Sequence, residues 1–412
     1  MTTAAPHRNL CTDCGISRTE DPDRCGRACQ FIRPDYAALE QRVHGRTRDL
    51  ERGDERFFGV TRAMLRARRN PPAENAQWTG ITTLIGQKLL ETEAVSGVLC
   101  IGPDPEDSWK PQPRLITEPD AMAGCRGMRM GYAPLLALLE PAIAAGHRRL
   151  AVIGIPCQIY ALRALEEELG LERLYVIGTP CSDNTTTENF HHFLEKLDDK
   201  PEDITYLEFL PDFHVELRFT DGRKRRIPFL MLPIADLPKD FFPLTCRTCV
   251  DYTNALADIT VGYMGGSGEQ WLITRNPRGV ELLSLIEDEL VLAPPTSSGN
   301  RRSAVAGFIE NTRRACGGLP LRRMPGWLRP IVARLMPITG PKGLEFARTR
   351  LEMKAAESVL HLRREAPKRM RHMLPDYIWT LTAPYDITPE PGEVARESER
   401  DELIASDNSG DT

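Results

Sequence analysis

The chain has 412 residues, 41% hydrophobic and 27% charged, enough apolar material to bury a large core and to divide into two or three domains. Its net charge of -5 gives no reason to expect a nucleic-acid partner. No apolar stretch approaches the ~18 residues of a membrane span and nothing reads as a secretory signal, so a cytoplasmic location is expected. In such a reducing compartment its eleven cysteines are read as ligands or free thiols rather than disulfides.

The opening segment carries Cys11, Cys14, Cys25 and Cys29 in the spacing C-x2-C-x10-C-x3-C. This polar, glycine-containing stretch has nothing from which to build a core, so an ion or cluster is needed to fold it. The spacing departs from the C-x2-C-x2-C-x3-C-P run of bacterial ferredoxins, and zinc is the alternative to iron here. From Phe31 to Arg69 the charged sequence, with Tyr36, Leu39 and Val43 at helical spacing, reads as a helix and linker. Arg66, Arg68 and Arg69 read as a solvated face. In Ala76 to Leu90 a Thr-Gly turn feeds a helix with Ile81, Leu84, Ile85, Leu89 and Leu90 apolar. Its free N-H groups could hold a phosphate, or the turn is simply a cap.

Val95 to Ile101 is a strand candidate, and Arg126 and Arg129, beside glycines in CRGMRMGYAP, could clamp phosphate or carboxylate. An internal echo follows: LAVIGIPC ends at Cys157 and LYVIGTPC at Cys181, each a short apolar run stopped by Gly and Pro. Ile159, Leu162, Leu165 and Leu169 between them have a helical period. The unit is therefore β-α-β with parallel strands, which brings both cysteines to one sheet edge. Ser182 to Phe193 is a capping cluster and helix in which His191 and His192 read as surface or packing residues. Ile204 to Ile227 alternates around Asp221-Gly222 as a hairpin lying over the sheet.

In Pro243 to Gly266, Cys246 and Cys249 form a Cys-x-x-Cys pair directly before a buried strand. Two thiolates are half a site, and Cys157 and Cys181 complete it, so Cys157, Cys181, Cys246 and Cys249 are read as one four-thiolate centre. Cys100, Cys125 and Cys316 each stand alone in the sequence and are not expected to be ligands. Trp271 to Arg275 is a further strand candidate and Gly279 to Leu290 a helix. From Arg313 to His372 there are fifteen Lys and Arg against four Glu. Prolines interrupt its first part, a long helix spans Gly343 to Arg364, and the acidic segment from Asp386 is expected to be disordered. The basic region reads as a solvated face or as a dock for an acidic partner. The Trp327, Leu328, Ile331, Val332 and Leu335 stripe could cover an apolar ligand or rest on a membrane surface.

QWTGITT, CRGMRMGYAP, VIGIPCQ, GTPCSDN and CRTCVDYTNALADITVGYMG together resemble the deazaflavin-dependent hydrogenase and dehydrogenase beta-subunit family, within it the branch of ferredoxin-dependent chlorophyll and chlorophyllide reductases. The resemblance covers most of the chain from Leu10 to about Tyr385. It implies an α/β fold: a mainly parallel sheet flavin domain over 71–300, an N-terminal ferredoxin-like cluster segment over 1–70 and a basic helical extension over 301–385, before an acidic tail over 386–412. It implies FAD and two 4Fe-4S clusters, one on Cys11, Cys14, Cys25 and Cys29, the other on Cys157, Cys181, Cys246 and Cys249. Flavin contacts would fall on Thr79, Gly80, Ile81, Thr82, Arg126, Arg129, Asn254 and Asp258. Asp183, Asp251 and Tyr252, beside cluster ligands, are the candidate proton donors.

The implied reaction reduces the 8-vinyl group of 3,8-divinyl chlorophyllide or protochlorophyllide with electrons from reduced ferredoxin. Reduction of a 7-hydroxymethyl chlorophyll, or service as the electron-input subunit of a deazaflavin-linked complex, is the alternative. Expected partners are ferredoxin and the chlorophyllide, with a second copy of the chain or the face of a photosynthetic membrane left open.

Overall fold

The computed structural model describes residues 11–74, 76–210, 212–263, 269–319 and 324–394. The acidic tail past Val394 and the MGG of the YMGG sequence lie outside the described residues. The strands are β1 (Ala63–Arg69), β2 (Gly97–Pro103), β3 (Pro111–Ile116), β4 (Arg149–Gly154), β5 (Arg173–Gly178), β6 (Ile204–Phe209), β7 (His214–Phe219), β8 (Lys224–Pro228), β9 (Ile259–Gly262), β10 (Gln270–Thr274) and β11 (Leu290–Ala293). The main sheet runs in the order β11-β1-β10-β9-β5-β4-β2-β3. Its centre, β2-β4-β5-β9, is parallel, and both flanks are antiparallel.

The two copies of the sequence echo pair with each other in register, from Leu150 opposite Leu174 to Gly154 opposite Gly178. Their side chains divide between two cores, as a strand covered on both faces requires. Leu150, Val152, Leu174 and Val176 face one side, and Ala151, Tyr175 and Ile177 the other. Helices α1 (Ile81–Glu91) and α2 (Pro156–Leu165) cover opposite faces. Pro156 opens α2 at the position where its missing N-H costs nothing. Helix α3 (Thr187–Leu197), capped by Thr186, packs Phe190, Phe193 and Leu194 against the meander β6-β7-β8. That meander is a separate three-stranded sheet rather than a hairpin laid on the main one, with Asp221-Gly222 turning β7 into β8.

Two segments differ from the sequence reading for physical reasons. Arg68 is exposed as expected, but Arg66, Arg68 and Arg69 belong to a strand and not to a helix or linker, and Arg66 and Arg69 are paired. They lie in β1 inside the main sheet, where Ala67 is buried and Arg66 and Arg69 pair with Glu269 and Glu289 at 2.7 and 3.0 Å. Strand β3 was hidden by Pro111 and Pro113, which lack ladder donors. It sits at the sheet edge, where proline is tolerated.

The C-terminal region is an integral layer of the protein. Helix α4 (Arg329–Thr339) exposes Trp327 just before it and Ile331, Leu335 and Ile338 along it. Helix α5 (Leu344–Glu365) buries Ala347, Leu351, Ala355, Ala356, Val359 and Leu362 in the core beneath the parallel strands. Its arginines are largely committed within the chain. Arg348 pairs with Asp54 at 2.7 Å, Arg363 with Glu393 at 2.7 Å and Arg364 with Glu365 at 2.6 Å. Arg363 and Arg364 are therefore ties within the protein and not a bare docking face.

A buried ionic hub holds the sheet to the loop that follows Cys249. Arg163, fully buried on α2, donates to Asp258 at 2.7 Å, to the Leu256 carbonyl and to Glu166. Asp258 also accepts from the Val176 amide, Asn276 and Arg278. Burial pushes the Asp258 carboxyl up, but Arg163, Arg278, Asn276 and the Val176 amide outweigh it and hold the group below the usual carboxylate range.

Candidate metal centre and cofactor cleft

Cys157, Cys181, Cys246 and Cys249 line one cavity, together with Thr12, Gln30 and Asp183. Each arrives by a different route. Cys157 lies in the first turn of α2, just past the carboxyl end of β4, and Cys181 follows the carboxyl end of β5. The Cys181 amide donates to the Tyr252 carbonyl at 3.0 Å, which ties that strand end to the Cys-x-x-Cys loop. Within the loop the Cys249 amide donates to the Cys246 carbonyl at 3.2 Å, the turn that lets two sulfurs face one centre.

The N-terminal set is pressed against this cavity. The Leu136 amide donates to the Cys14 carbonyl at 2.9 Å, and Arg24 pairs with Glu140 at 2.7 Å. Gly15, at φ 110°, permits the approach, since a Cβ there would stand 2.5 Å from the Ala137 nitrogen and 2.8 Å from the Pro134 oxygen. Two residues beside N-terminal cysteines reach the inner ones. Thr12 Oγ1 donates to Cys157 Sγ at 3.5 Å, and Gln30 Nε2 to Cys249 Sγ at 3.6 Å. The two cysteine sets thus adjoin, and Cys14 and Cys29 stand close enough to Cys157 to couple electrostatically.

The donor chemistry fits iron-sulfur clusters. Burial pushes the Cys246 thiol up to about 12, and Cys249 and Cys29 to about 11. These groups become thiolates only when a metal displaces their protons. A cluster binds each thiolate to a different iron and spreads its ligands apart.

Helix α5 closes the inner site. Lys354, almost fully buried, donates to the Cys246 carbonyl at 2.6 Å and to Asp183 at 2.8 Å. One turn on, Ser358 donates to the Cys249 carbonyl at 3.4 Å. Sequence reading missed Lys354, Ser358, Thr12 and Gln30. The available signal was a lysine on the apolar stripe Leu351, Ala355, Val359 and Leu362 of a long helix.

The three candidate proton donors fall in different places. Asp183 lines the cavity. Asp251 is buried and accepts from the Ala255 amide at 2.9 Å, while the Tyr252 hydroxyl donates to the Tyr263 carbonyl at 2.9 Å.

The candidate flavin contacts also divide. Arg126 and Arg129 line a cleft of about 320 Å³ with Trp109, Tyr206 and Arg218. Neither has a carboxylate partner among the described residues. They donate only to the Glu74, Gly127 and Arg126 carbonyls, and both Nε atoms are buried without an acceptor. Arginines left without a carboxylate suit an anion, and a flavin pyrophosphate fits that chemistry.

The Thr79 to Thr82 turn lies near it: Arg126 bonds to Glu74 of the same loop, whose Trp78 stacks on Tyr263 at 4.7 Å. Gly80 adopts φ 85° as the cap of α1, but Thr79 Oγ1 and the Ile81 amide both donate to Gln270. That leaves the amides of Thr82 and Thr83 for a ligand. Asn254 and Asp258 do not line the cleft. Asn254, at φ 61°, donates to the Gly154 carbonyl at 2.8 Å and holds the strand ends, and Asp258 is the buried hub.

Comparison with known proteins places this architecture. Residues 64–140 match the amino-terminal part, and residues 147–297 the carboxyl-terminal part, of the family described as coenzyme F420 hydrogenase/dehydrogenase, beta subunit. The 7-hydroxymethyl chlorophyll a reductase of Oryza sativa subsp. japonica is 38% identical over 92% of this chain and 83% of its own length. An uncharacterized protein of Nostoc sp. is 36% identical over 93% of this chain and 95% of its own. One of the subunits of the F(420)H(2) dehydrogenase of Methanosarcina mazei is 27% identical over 52% of this chain and 60% of its own. A chain of the F420-reducing nickel-iron hydrogenase complex from Methanosarcina barkeri shares the fold, with TM-score 0.55 and 18% identity over 74% of this chain and 93% of that one. The chain belongs to the coenzyme F420 hydrogenase/dehydrogenase beta-subunit family.

Proposed function

We propose that the protein is an iron-sulfur flavoprotein oxidoreductase that takes single electrons from reduced ferredoxin and reduces the 8-vinyl group of 3,8-divinyl chlorophyllide or protochlorophyllide to ethyl. The observation that carries this reading is the adjoining of the two four-cysteine sets, Thr12 on Cys157 and Gln30 on Cys249, which supports a short path for electrons from the N-terminal segment to the interior. When bound, clusters carry one electron at a time and FAD supplies the two-electron step that an alkene needs.

In this reading the chain's own residues hold and orient. Cys11, Cys14, Cys25 and Cys29 hold the outer centre, and Cys157, Cys181, Cys246 and Cys249 the inner one. Lys354 sets a buried positive charge beside the inner thiolates. Arg126 and Arg129 hold the flavin phosphates in the cleft, and Asp183 is the candidate proton donor on its position alone. No helix among the described residues is long and apolar enough to cross a membrane. The exposed stripe from Trp327 to Ile338 is the surface this reading gives to contact with chlorophyll-bearing membranes.

The rice relative favours a second reading, reduction of 7-hydroxymethyl chlorophyll a. Anaerobic assay with reduced ferredoxin separates them by product mass. Divinyl chlorophyllide is expected to gain two hydrogens, whereas turnover of the 7-hydroxymethyl compound with loss of one oxygen would transfer the assignment to the second reading. Reduction of coenzyme F420 in place of either would make the chain an electron-input subunit.

A further inference from the structure

Outside the two four-cysteine sets, the fold brings two more thiols together. Cys100 lies on β2 and Cys125 ends the 3-10 helix Pro119–Cys125. They are 25 residues apart, and their Sγ atoms are 3.4 Å apart. The expectation that each stands alone is therefore corrected for this pair. The sulfurs are already in hydrogen-bond contact, about 1.4 Å beyond the ~2.05 Å of a disulfide.

Cys100 is buried and Cys125 only partly so, which leaves one thiol reachable. Gly102 of the same strand lies beside the pair: a Cβ there would be in ordinary contact with the Cys125 sulfur at 3.5 Å. The hydrogen bond from Cys100 outweighs partial burial and, with Arg129 and Arg114, brings the Cys125 thiol down to about 7. The same bond and burial push Cys100 well up, so the two sulfurs are chemically unequal. A low-lying, reachable thiol beside a protonated one is the arrangement of an attacking and a resolving cysteine.

We infer that Cys100 and Cys125 form a reversible dithiol-disulfide site beside the arginine-lined cleft, with small-molecule disulfides of the glutathione class as oxidant. The Cys125 thiolate attacks one sulfur of glutathione disulfide and expels a glutathione thiolate. The Cys100 sulfur then attacks the Cys125 sulfur of the mixed disulfide, expels the second glutathione, and gives up its proton to a departing thiolate. Two electrons leave the protein dithiol, and one disulfide becomes two glutathione thiols. The consequence falls on the cleft. Cys125 directly precedes Arg126, Gly127, Met128 and Arg129, which line it, so the bond ties that segment to β2 and removes the sulfur charge that Arg129 faces.

The test uses anaerobically purified holoprotein treated with glutathione disulfide, quenched in acid, alkylated and mapped by peptide mass. The expected result is a linked pair of Cys100 and Cys125 peptides, while the exposed Cys316 carries glutathione alone. Cys100→Ser is expected to accumulate the mixed disulfide on Cys125, and Cys125→Ser to leave Cys100 unmodified. Alkylation of both Cys100 and Cys125 in the treated wild type, or equal glutathione on the two single variants, would overturn the inference.

Discussion

Replacing Cys246 by serine is expected to remove about half of the iron from the anaerobically purified protein, as the loss of one of two four-iron clusters requires, and to abolish ferredoxin-driven turnover. The thiol is buried in the cavity shared with Cys157, Cys181 and Cys249, and a serine hydroxyl is a poor substitute for a thiolate on iron. The fold should survive. Strand β9 behind the site is held by Ile259 and Val261 in a core that does not include the cavity, and Asp258 anchors the intervening loop through Arg163. Far-ultraviolet circular dichroism should stay close to wild type. Full iron content in Cys246→Ser would remove this residue from the inner set.

The second large effect is expected at Lys354. Its ammonium is almost fully buried, bonded to Asp183 and to the Cys246 carbonyl, and it lies on a helix whose apolar residues form part of the core. Removing one partner of a buried pair leaves the other uncompensated and costs about 3–5 kcal/mol, so Lys354→Met should lower the urea midpoint markedly.

The same charge opposes the negative charge of a thiolate-bound cluster. Asp183, 2.8 Å from the ammonium, offsets part of that charge, so the effect is expected on the order of tens of millivolts for one electron. The inner-cluster midpoint potential in Lys354→Met should therefore move to more negative values, whereas Lys354→Arg, which keeps the charge, should stay near wild type. A potential unchanged in Lys354→Met would show that this lysine acts only on stability.

The legible parts of the sequence were those whose chemistry is local. The echo of LAVIGIPC and LYVIGTPC carried strand, stop and cysteine within eight residues each, and the structure pairs the copies Leu150 to Leu174 in parallel register. Elements whose placement depends on distant partners were not legible. Nothing in the spacing of Cys11 to Cys29 tells that Thr12 will meet Cys157 or Gln30 will meet Cys249, since those contacts follow from Gly15 docking against residues 134–137. Strand β1 was masked by its arginines, whose partners Glu269 and Glu289 lie some two hundred residues away.

Asp258 illustrates a further limit. As an Asp in a cofactor-like motif it invites a binding role, yet its oxygens are taken by Arg163, Asn276, Arg278 and the Val176 amide. The Cys100 and Cys125 pair is a third case, because contact between β2 and the 3-10 helix before Arg126 cannot be read from residues 25 apart.

In the proposed reading the two adjoining four-thiolate sets hold two iron-sulfur clusters. This is tested most directly by iron and sulfide analysis joined to electron paramagnetic resonance of the dithionite-reduced, anaerobically purified protein. About eight irons and eight sulfides per chain are expected, with a reduced spectrum broadened by magnetic coupling between neighbouring clusters. Stoichiometric zinc, or about four irons with the uncoupled spectrum of a single cluster, would contradict it.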